Sequence, residues 1–398
     1  MPQRLDSLPS TGGNCRFERL ALNESLVLYV LGDEAVLYSA LSRSLFGLDA
    51  AALAVLSRLA NGETADSLMA GLPEVDAAAV AELAAILHGQ EPETPEYRAE
   101  IFCPESVCQD EHISQCYRLL STVFTITCSD KSVLDLISSS FNHLILVDHP
   151  PVNLKITLEQ TASQWCLLFN GMLQGEATPL SMVLPKLYDR LRKMAYQCIP
   201  FMLAIHAAAL SDDRNSIIFA GQSGSGKSTI AATLMAHGFR LFSDEVALIT
   251  ERGMIMPIPL GIGLKSGSWS LLQNDFPALM DLPEHIRWDN SHVRYLVPDD
   301  SDSIKNTEVN TVTQICFPCF DPLGQNSLKV ISPVSTLRLL TESGYQLRDL
   351  QAEHVDNILK WLTGLTCFTL AYSSTEGALK LLGTVLNNSR IPDCRHDN

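Results

Sequence analysis

A chain of 398 residues, 46% hydrophobic and 18% charged, has enough apolar side chains for two buried cores and too few charges for a disordered protein. Its formal net charge of -17 argues against nucleic acid or anionic membrane as a partner, because both require a basic face that displaces counterions. Residues 1–7 lack the apolar run of a signal peptide, and no stretch reaches the roughly 18 apolar residues of a membrane span, so a cytoplasmic location is expected. Eleven cysteines, an odd number scattered through apolar segments, fit free thiols better than a disulfide framework.

In chain order, the first twenty residues read as irregular. Leu26–Leu31 and Ala35–Ser39 read as a hairpin around Gly32-Asp33-Glu34. Three short helices follow, each with a capping residue: Asp49 before Ala50–Leu59, Thr64 before Ala65–Ala70 and Asp76 before Ala77–Leu87. A hairpin with three short helices has winged-helix proportions. The stretch 89–97, rich in Pro and Glu without apolar periodicity, marks a boundary. The expected organisation is a small winged-helix-like α+β domain over 1–92, a linker over 93–116 and an α/β domain over 117–390.

Within the second domain, Thr122–Thr127, His143–Val147, Leu154–Leu158 and Trp165–Asn170 read as strands. Pro179–Tyr196 reads as a helix with Leu184, Leu187 and Leu191 on one face. Near the C-terminus, Thr313–Phe317, Leu328–Ile331 and Cys367–Tyr372 are expected strands. Ser335–Leu340, Glu353–Leu362 and Thr375–Leu386 are expected helices.

The most specific feature is Gly221-Gln222-Ser223-Gly224-Ser225-Gly226-Lys227-Ser228-Thr229. It follows a buried-strand run, Ser216–Ala220, and precedes a helix, Ile230–His237, which is the order a phosphate-binding loop requires. Its glycines let backbone amides turn toward phosphate oxygens at a helix N-terminus, Lys227 reaches the terminal phosphates, and Ser228 offers a hydroxyl to Mg²⁺. The sequence therefore predicts a nucleoside triphosphate bound with Mg²⁺. Downstream, Ser243-Asp244-Glu245 reads as a neighbouring strand end that presents acids to the terminal phosphate. Upstream, His206 ends the run Phe201–Ile205, where a strand paired with the loop-bearing strand would return it to the site. A strand histidine is also compatible with a purely structural role. Lys265 follows a Pro-rich turn and reads either as a phosphate contact or as a surface lysine.

The spacing of His206, the loop and Asp244 resembles the HPr kinase/phosphorylase superfamily, whose fold is similar to that of phosphoenolpyruvate carboxykinase. The resemblance runs from about Tyr117 to Leu386. It includes Ile205-His206-Ala207-Ala208-Ala209, Gly238-Phe239, Pro257-Ile258-Pro259 and Leu264-Lys265, and is nearer to the HPr-kinase-like proteins of peptide-modification clusters than to the HPr kinases. It implies Asp244 as the base accepting a hydroxyl proton, Lys227 neutralising the transferred phosphoryl group, Ser228 on the metal and His206 near the acceptor. Asp244 reads alternatively as a metal ligand, and Glu245 as a more distant support for Mg²⁺ or a solvent-facing acid. HPr kinases carry a second aspartate where this chain has Glu245, and a glutamate where it has Thr229. Both departures argue against HPr as the acceptor.

Glu24–Leu87, with Leu45-Phe46-Gly47-Leu48-Asp49 and Asn61-Gly62-Glu63-Thr64, looks like the PqqD-like domains that take a leader peptide as an added strand. That resemblance implies a precursor peptide bound through residues 24–87, on the edge of Leu26–Leu31 or Ala35–Ser39. Arg43 and Arg58 are its only basic residues, too few for a DNA reader. The combined expectation is an ATP-dependent kinase for a serine of a precursor peptide, with room for a homo-oligomer. A small-metabolite kinase and a nucleotide-gated regulator are the alternatives. Cys103, Cys108, His112 and Cys116, and the pair Cys316 and Cys319, are weak metal or redox candidates, because the first set lacks paired short intervals and the second lies in an apolar run.

Overall fold

The continuous apolar run Leu26–Leu31 anchors the first sheet. The computed structural model describes residues 17–71, 76–90, 115–148, 150–197, 199–212, 216–298, 310–347 and 352–386. Strands β1 (Glu18–Ala21), β2 (Leu26–Leu31), β3 (Glu34–Ser39) and β4 (Ser44–Leu48) form one antiparallel sheet in that order. Gly32, at φ 71°, supplies the left-handed residue of the β2–β3 turn. The expected hairpin is present, but neither of its strands is an edge. β1 covers β2 and β4 covers β3, so an added strand would have to extend β1 or β4.

The two faces of this sheet carry different layers. Leu26, Leu28, Val30, Ala35 and Leu37 pack against helices α1 (Ala50–Ala60), α2 (Ala65–Gly71) and α3 (Ala77–Leu87) through Leu53, Leu56, Leu68, Val80, Leu83 and Ile86. Asp49 caps α1 by accepting from the Ala52 amide, and Asp76 caps α3 by accepting from the Ala78 amide, as the sequence predicts. On the opposite face the Tyr29 hydroxyl donates to the Ala352 carbonyl at 3.1 Å. A Cβ added at Gly47 would lie 3.2 Å from Val334 Cγ1. The second layer is thus supplied by helices Pro333–Ser343 and Ala352–Thr363 from the far end of the chain.

The two compact units accordingly depart from the expected domain limits. One comprises Met1–Arg98, Val330–Glu342 and Leu347–Cys367; the other comprises Ala99–Lys329, Ser343–Gln346 and Phe368–Asn398. The expected uninterrupted domain over 117–390 is divided because Val355, Ile358, Leu359 and Leu362 on helix Ala352–Thr363 are buried within the first unit. Most of the expected linker over 93–116 lies outside the described residues.

The second unit is mixed α/β. Strands Tyr117–Leu119, Thr122–Cys128, Leu154–Thr161, Gln164–Phe169 and Met172–Leu173 form one sheet in that order. Helix Leu180–Gln197 packs on it through Leu184, Leu187 and Leu191, the face read from the sequence. The expected strand His143–Val147 is instead the end of a 3-10 turn, Ser139–Leu144, with one bridge between Tyr117 and Ile145. Phe141 and Leu144, three residues apart, both reach the core from such a turn.

The site is built on two further sheets. The larger runs Arg240–Ser243, Ala207–Ser211, Ser216–Ala220, Gln314–Phe320, Thr366–Tyr372 and Ser327–Val330. Ser216–Ala220 is antiparallel to Ala207–Ser211 and parallel to Gln314–Phe320. The other contains Leu203–Ile205, Ala247–Ile249, Met254–Met256 and Asn310–Thr311. Two chain segments pass from one sheet to the other side by side: Ile205 opposes Ala247 in one, and Ala209 opposes Ser243 in the other. Among the described residues no helix is long and apolar enough to cross a membrane.

Candidate functional site

The loop at 221–226 leaves the buried strand Ser216–Ala220 and enters helix Lys227–Ala236 without a side-chain cap at Gly226. The first amides of that helix therefore lack an intrahelical acceptor and face the loop, the arrangement that favours an anion. Gly224 and Gly226 are left-handed, at φ 91° and 95°. A Cβ at Gly226 would overlap the Tyr372 hydroxyl, whereas one at Gly224 would meet nothing within 4 Å. Glycine is thus required at 226 by both backbone and space, and at 224 by backbone alone.

Lys227 is buried, and its ammonium donates to the carbonyls of Gly221 at 2.5 Å and Gln222 at 3.0 Å. Burial pulls its pKa below the ordinary lysine value, while Glu245 and Asp244 oppose that pull. The Ser225 hydroxyl is buried without a hydrogen-bond partner, a donor left over inside the loop. Ser223 Oγ accepts from Lys265 Nζ at 3.2 Å, so Lys265 is at the loop. The Thr229 carbonyl accepts from Thr233 Oγ1, an ordinary helix contact.

The acids divide their contacts. Asp244 is buried; its Oδ1 accepts from the Ser228 hydroxyl at 3.2 Å and its Oδ2 from the Gly263 amide at 3.0 Å. Burial, and then the charge of Glu245, raises the Asp244 carboxyl above its ordinary pKa against the pull of the Gly263 amide, Arg192 and Ser228. Glu245 is left-handed, at φ 73°, and has a different set of partners. Its Oε2 lies 3.1 Å from His206 Nε2, and its Oε1 accepts from Arg287. Burial acts to raise the Glu245 carboxyl, but the His206 hydrogen bond and the charges of Arg287 and Arg192 outweigh it and hold it far below the usual range.

The side-by-side passage between sheets explains the meeting of His206 and Glu245. Each residue lies in the short segment where its chain has left one sheet and not entered the next. The sequence-based pairing of Asp244 with the base role and Glu245 with the metal is not the pattern of contacts. Ser228, the hydroxyl expected at Mg²⁺, touches Asp244, and both Glu245 oxygens are engaged by cationic or ionisable side chains.

No protein-family model matches this chain, and no curated protein matches it. The functional reading accordingly rests on the loop and its surroundings.

Four contributors were not read from the sequence. Arg287 and Asp289 come from the turn between strands His285–Ile286 and His292–Leu296; Asp289 Oδ2 lies 3.5 Å from Lys265 Nζ. Arg192, buried on helix Leu180–Gln197, adds positive charge toward Asp244 and Glu245. Tyr372, buried under Gly226, has its ring 5.3 Å from that of Phe320 at a tilt of 51°. None lies in a local pattern with the loop.

Among the described residues no group of three or more His, Cys, Asp or Glu side chains is placed to hold a metal ion. A cation here would take Ser228 and Asp244 together with ligands from a bound anion. Cys103, Cys108 and His112 lie outside the described residues. Cys316 is buried in strand Gln314–Phe320 with its thiol pushed well above the ordinary pKa, a packed thiol rather than a reactive one.

Proposed function

We propose that this protein is a Mg·ATP-dependent kinase that transfers the γ-phosphoryl group to a hydroxyl, most simply a serine of a precursor peptide. The observation that carries this reading is the loop lysine facing two acids of different environment, one on the Ser228 hydroxyl and one on a histidine. A nucleotide-binding module needs the first set only. Phosphoryl transfer to a hydroxyl also needs a group that takes the acceptor proton.

Lys227 would neutralise charge on the terminal phosphates, and the unpartnered Ser225 hydroxyl and the helix amides would bind phosphate oxygens. Mg²⁺, when bound, supplies charge neutralisation between the phosphates, and Ser228 with Asp244 would hold it. His206 would accept the hydroxyl proton on one ring nitrogen while Glu245, fixed by Arg287, orients the other. This allocation revises the role expected for Asp244 from proton acceptor to metal-side acid. Lys265, on Ser223, would add charge at the outer part of the loop.

The fold reading is an HPr-kinase-like domain and a PqqD-like, winged-helix-like one in a single chain, in the cytoplasm. A precursor peptide would be recruited by strand addition to the first sheet, with the largely exposed β1 as the edge rather than β2 or β3. The test is mass spectrometry of serine-containing peptides incubated with the protein and Mg·ATP. A gain of one phosphoryl group on serine supports the reading; ATP hydrolysis with unmodified peptide overturns it.

A further inference from the structure

Beside the loop, the turn Arg287–Ser291 is closed by a hydrogen bond from the Arg287 amide to the Ser291 carbonyl at 3.0 Å, with Asn290 left-handed at φ 59°. Two of its residues are tied to the site. Arg287 donates to Glu245, and Asp289 pairs with Lys265, which donates in turn to Ser223 of the loop. Trp288 lies between these two anchors and is 83% exposed. Neighbouring Cα atoms are about 3.8 Å apart, so the Trp288 backbone lies within one residue of each anchor and its indole is open to solvent.

We propose that Trp288 selects the acceptor by packing on an apolar side chain next to the hydroxyl that is phosphorylated, an inference that rests on the kinase reading above. Three features support it. Arg287 ties the turn to Glu245, the partner of the His206 assigned as proton acceptor, and Asp289 ties it through Lys265 to Ser223 of the loop. The charged residues flanking Trp288 are paired within the protein, Arg287 with Glu245 and Asp289 with Lys265, so the exposed indole is the apolar surface that the turn offers. The turn is also fixed at both anchors, so ordering the indole against a ligand loses little conformational freedom.

The experiment uses the full chain and two short peptides, each with one serine, flanked by leucines in one and by aspartates in the other. Binding is read by fluorescence anisotropy of dye-labelled peptide with Mg²⁺ and a non-hydrolysable ATP analogue; transfer is read separately by mass spectrometry. The expected result is that the wild type binds the leucine peptide about tenfold more tightly, that Trp288→Ala removes this preference with the KM for ATP unchanged, and that Trp288→Phe keeps most of it. An unchanged preference in Trp288→Ala, equal or no binding of the two peptides by the wild type, or a loss confined to ATP affinity overturns the assignment; the last would make the indole a nucleobase platform. A wild type that shows the Trp288-dependent preference and transfers no phosphoryl group retains this inference and overturns the kinase reading. Equal phosphorylation with equal binding of both peptides does the reverse.

Discussion

His206 Nε2 stands 3.1 Å from Glu245 Oε2 because two antiparallel segments leave one sheet and enter the next at the same level. The arrangement leaves a half-exposed imidazole held by a carboxylate that Arg287 holds in turn. His206→Asn is expected to lower kcat by roughly 10²- to 10⁴-fold with little change in the KM for ATP, the signature of a lost proton acceptor. Steady-state kinetics with a phosphorylated peptide product checks this, and an unchanged kcat would return the base role to Asp244.

The two acids should respond oppositely to neutralisation. The Asp244 carboxyl is raised on folding, so its ionised form opposes folding at neutral pH and that penalty fades as the pH falls through the raised value. Asp244→Asn is therefore expected to raise Tm at neutral pH while abolishing transfer. The Glu245 carboxyl is depressed, so it stabilises the fold above the ordinary glutamate value and loses that contribution as the pH falls. Glu245→Gln is expected to destabilise by about 2 kcal/mol at neutral pH, a charge-assisted hydrogen bond lost from Arg287. Thermal melts of both variants from acid to neutral pH measure the signs, and both differences should shrink at acid pH.

Gly226 and Gly224 share a left-handed backbone but not a surrounding. Gly226→Ala adds a methyl that overlaps the Tyr372 hydroxyl, and it is expected to abolish binding of a fluorescent ATP analogue. Gly224→Ala meets open space and carries only the left-handed penalty of roughly 1–2 kcal/mol, so weakened binding should survive. Equal losses in the two variants would show that backbone conformation alone matters.

Removing residues 1–92 is not a clean domain deletion. It strips the sheet from helices Pro333–Ser343 and Ala352–Thr363 and exposes Val355, Ile358, Leu359 and Leu362. The truncated chain is expected to aggregate on size-exclusion chromatography. Tyr29→Phe, which removes the hydroxyl that reaches the Ala352 carbonyl and Asp356, should remain monodisperse and lose about 1 kcal/mol in denaturant melts.

Ser228→Ala removes a hydroxyl that rests on Asp244. The expected outcome is a several-fold higher Mg²⁺ requirement, read from initial rates across a Mg²⁺ titration, with chelation of the metal abolishing transfer in both proteins. An unshifted requirement would remove Ser228 from the metal site.

What the sequence by itself determined is local. The glycine-rich loop, its strand and its helix were legible because the glycines, Lys227 and the apolar run are contiguous. The capping aspartates Asp49 and Asp76 act within three residues of themselves, and Leu184, Leu187 and Leu191 fall on one face by helical period alone. The strand expected at His143–Val147 failed because burial of Phe141 and Leu144 outweighs the β preference of a short apolar run. Tertiary structure alone decided which acid touches Ser228, that Arg287 and Asp289 reach Glu245 and Lys265 from a distant turn, that β2 and β3 are interior strands, and that C-terminal helices complete the first unit. Each of these depends on which segments pair or pack across long stretches of chain, and side-chain periodicity along one segment carries no record of its partner.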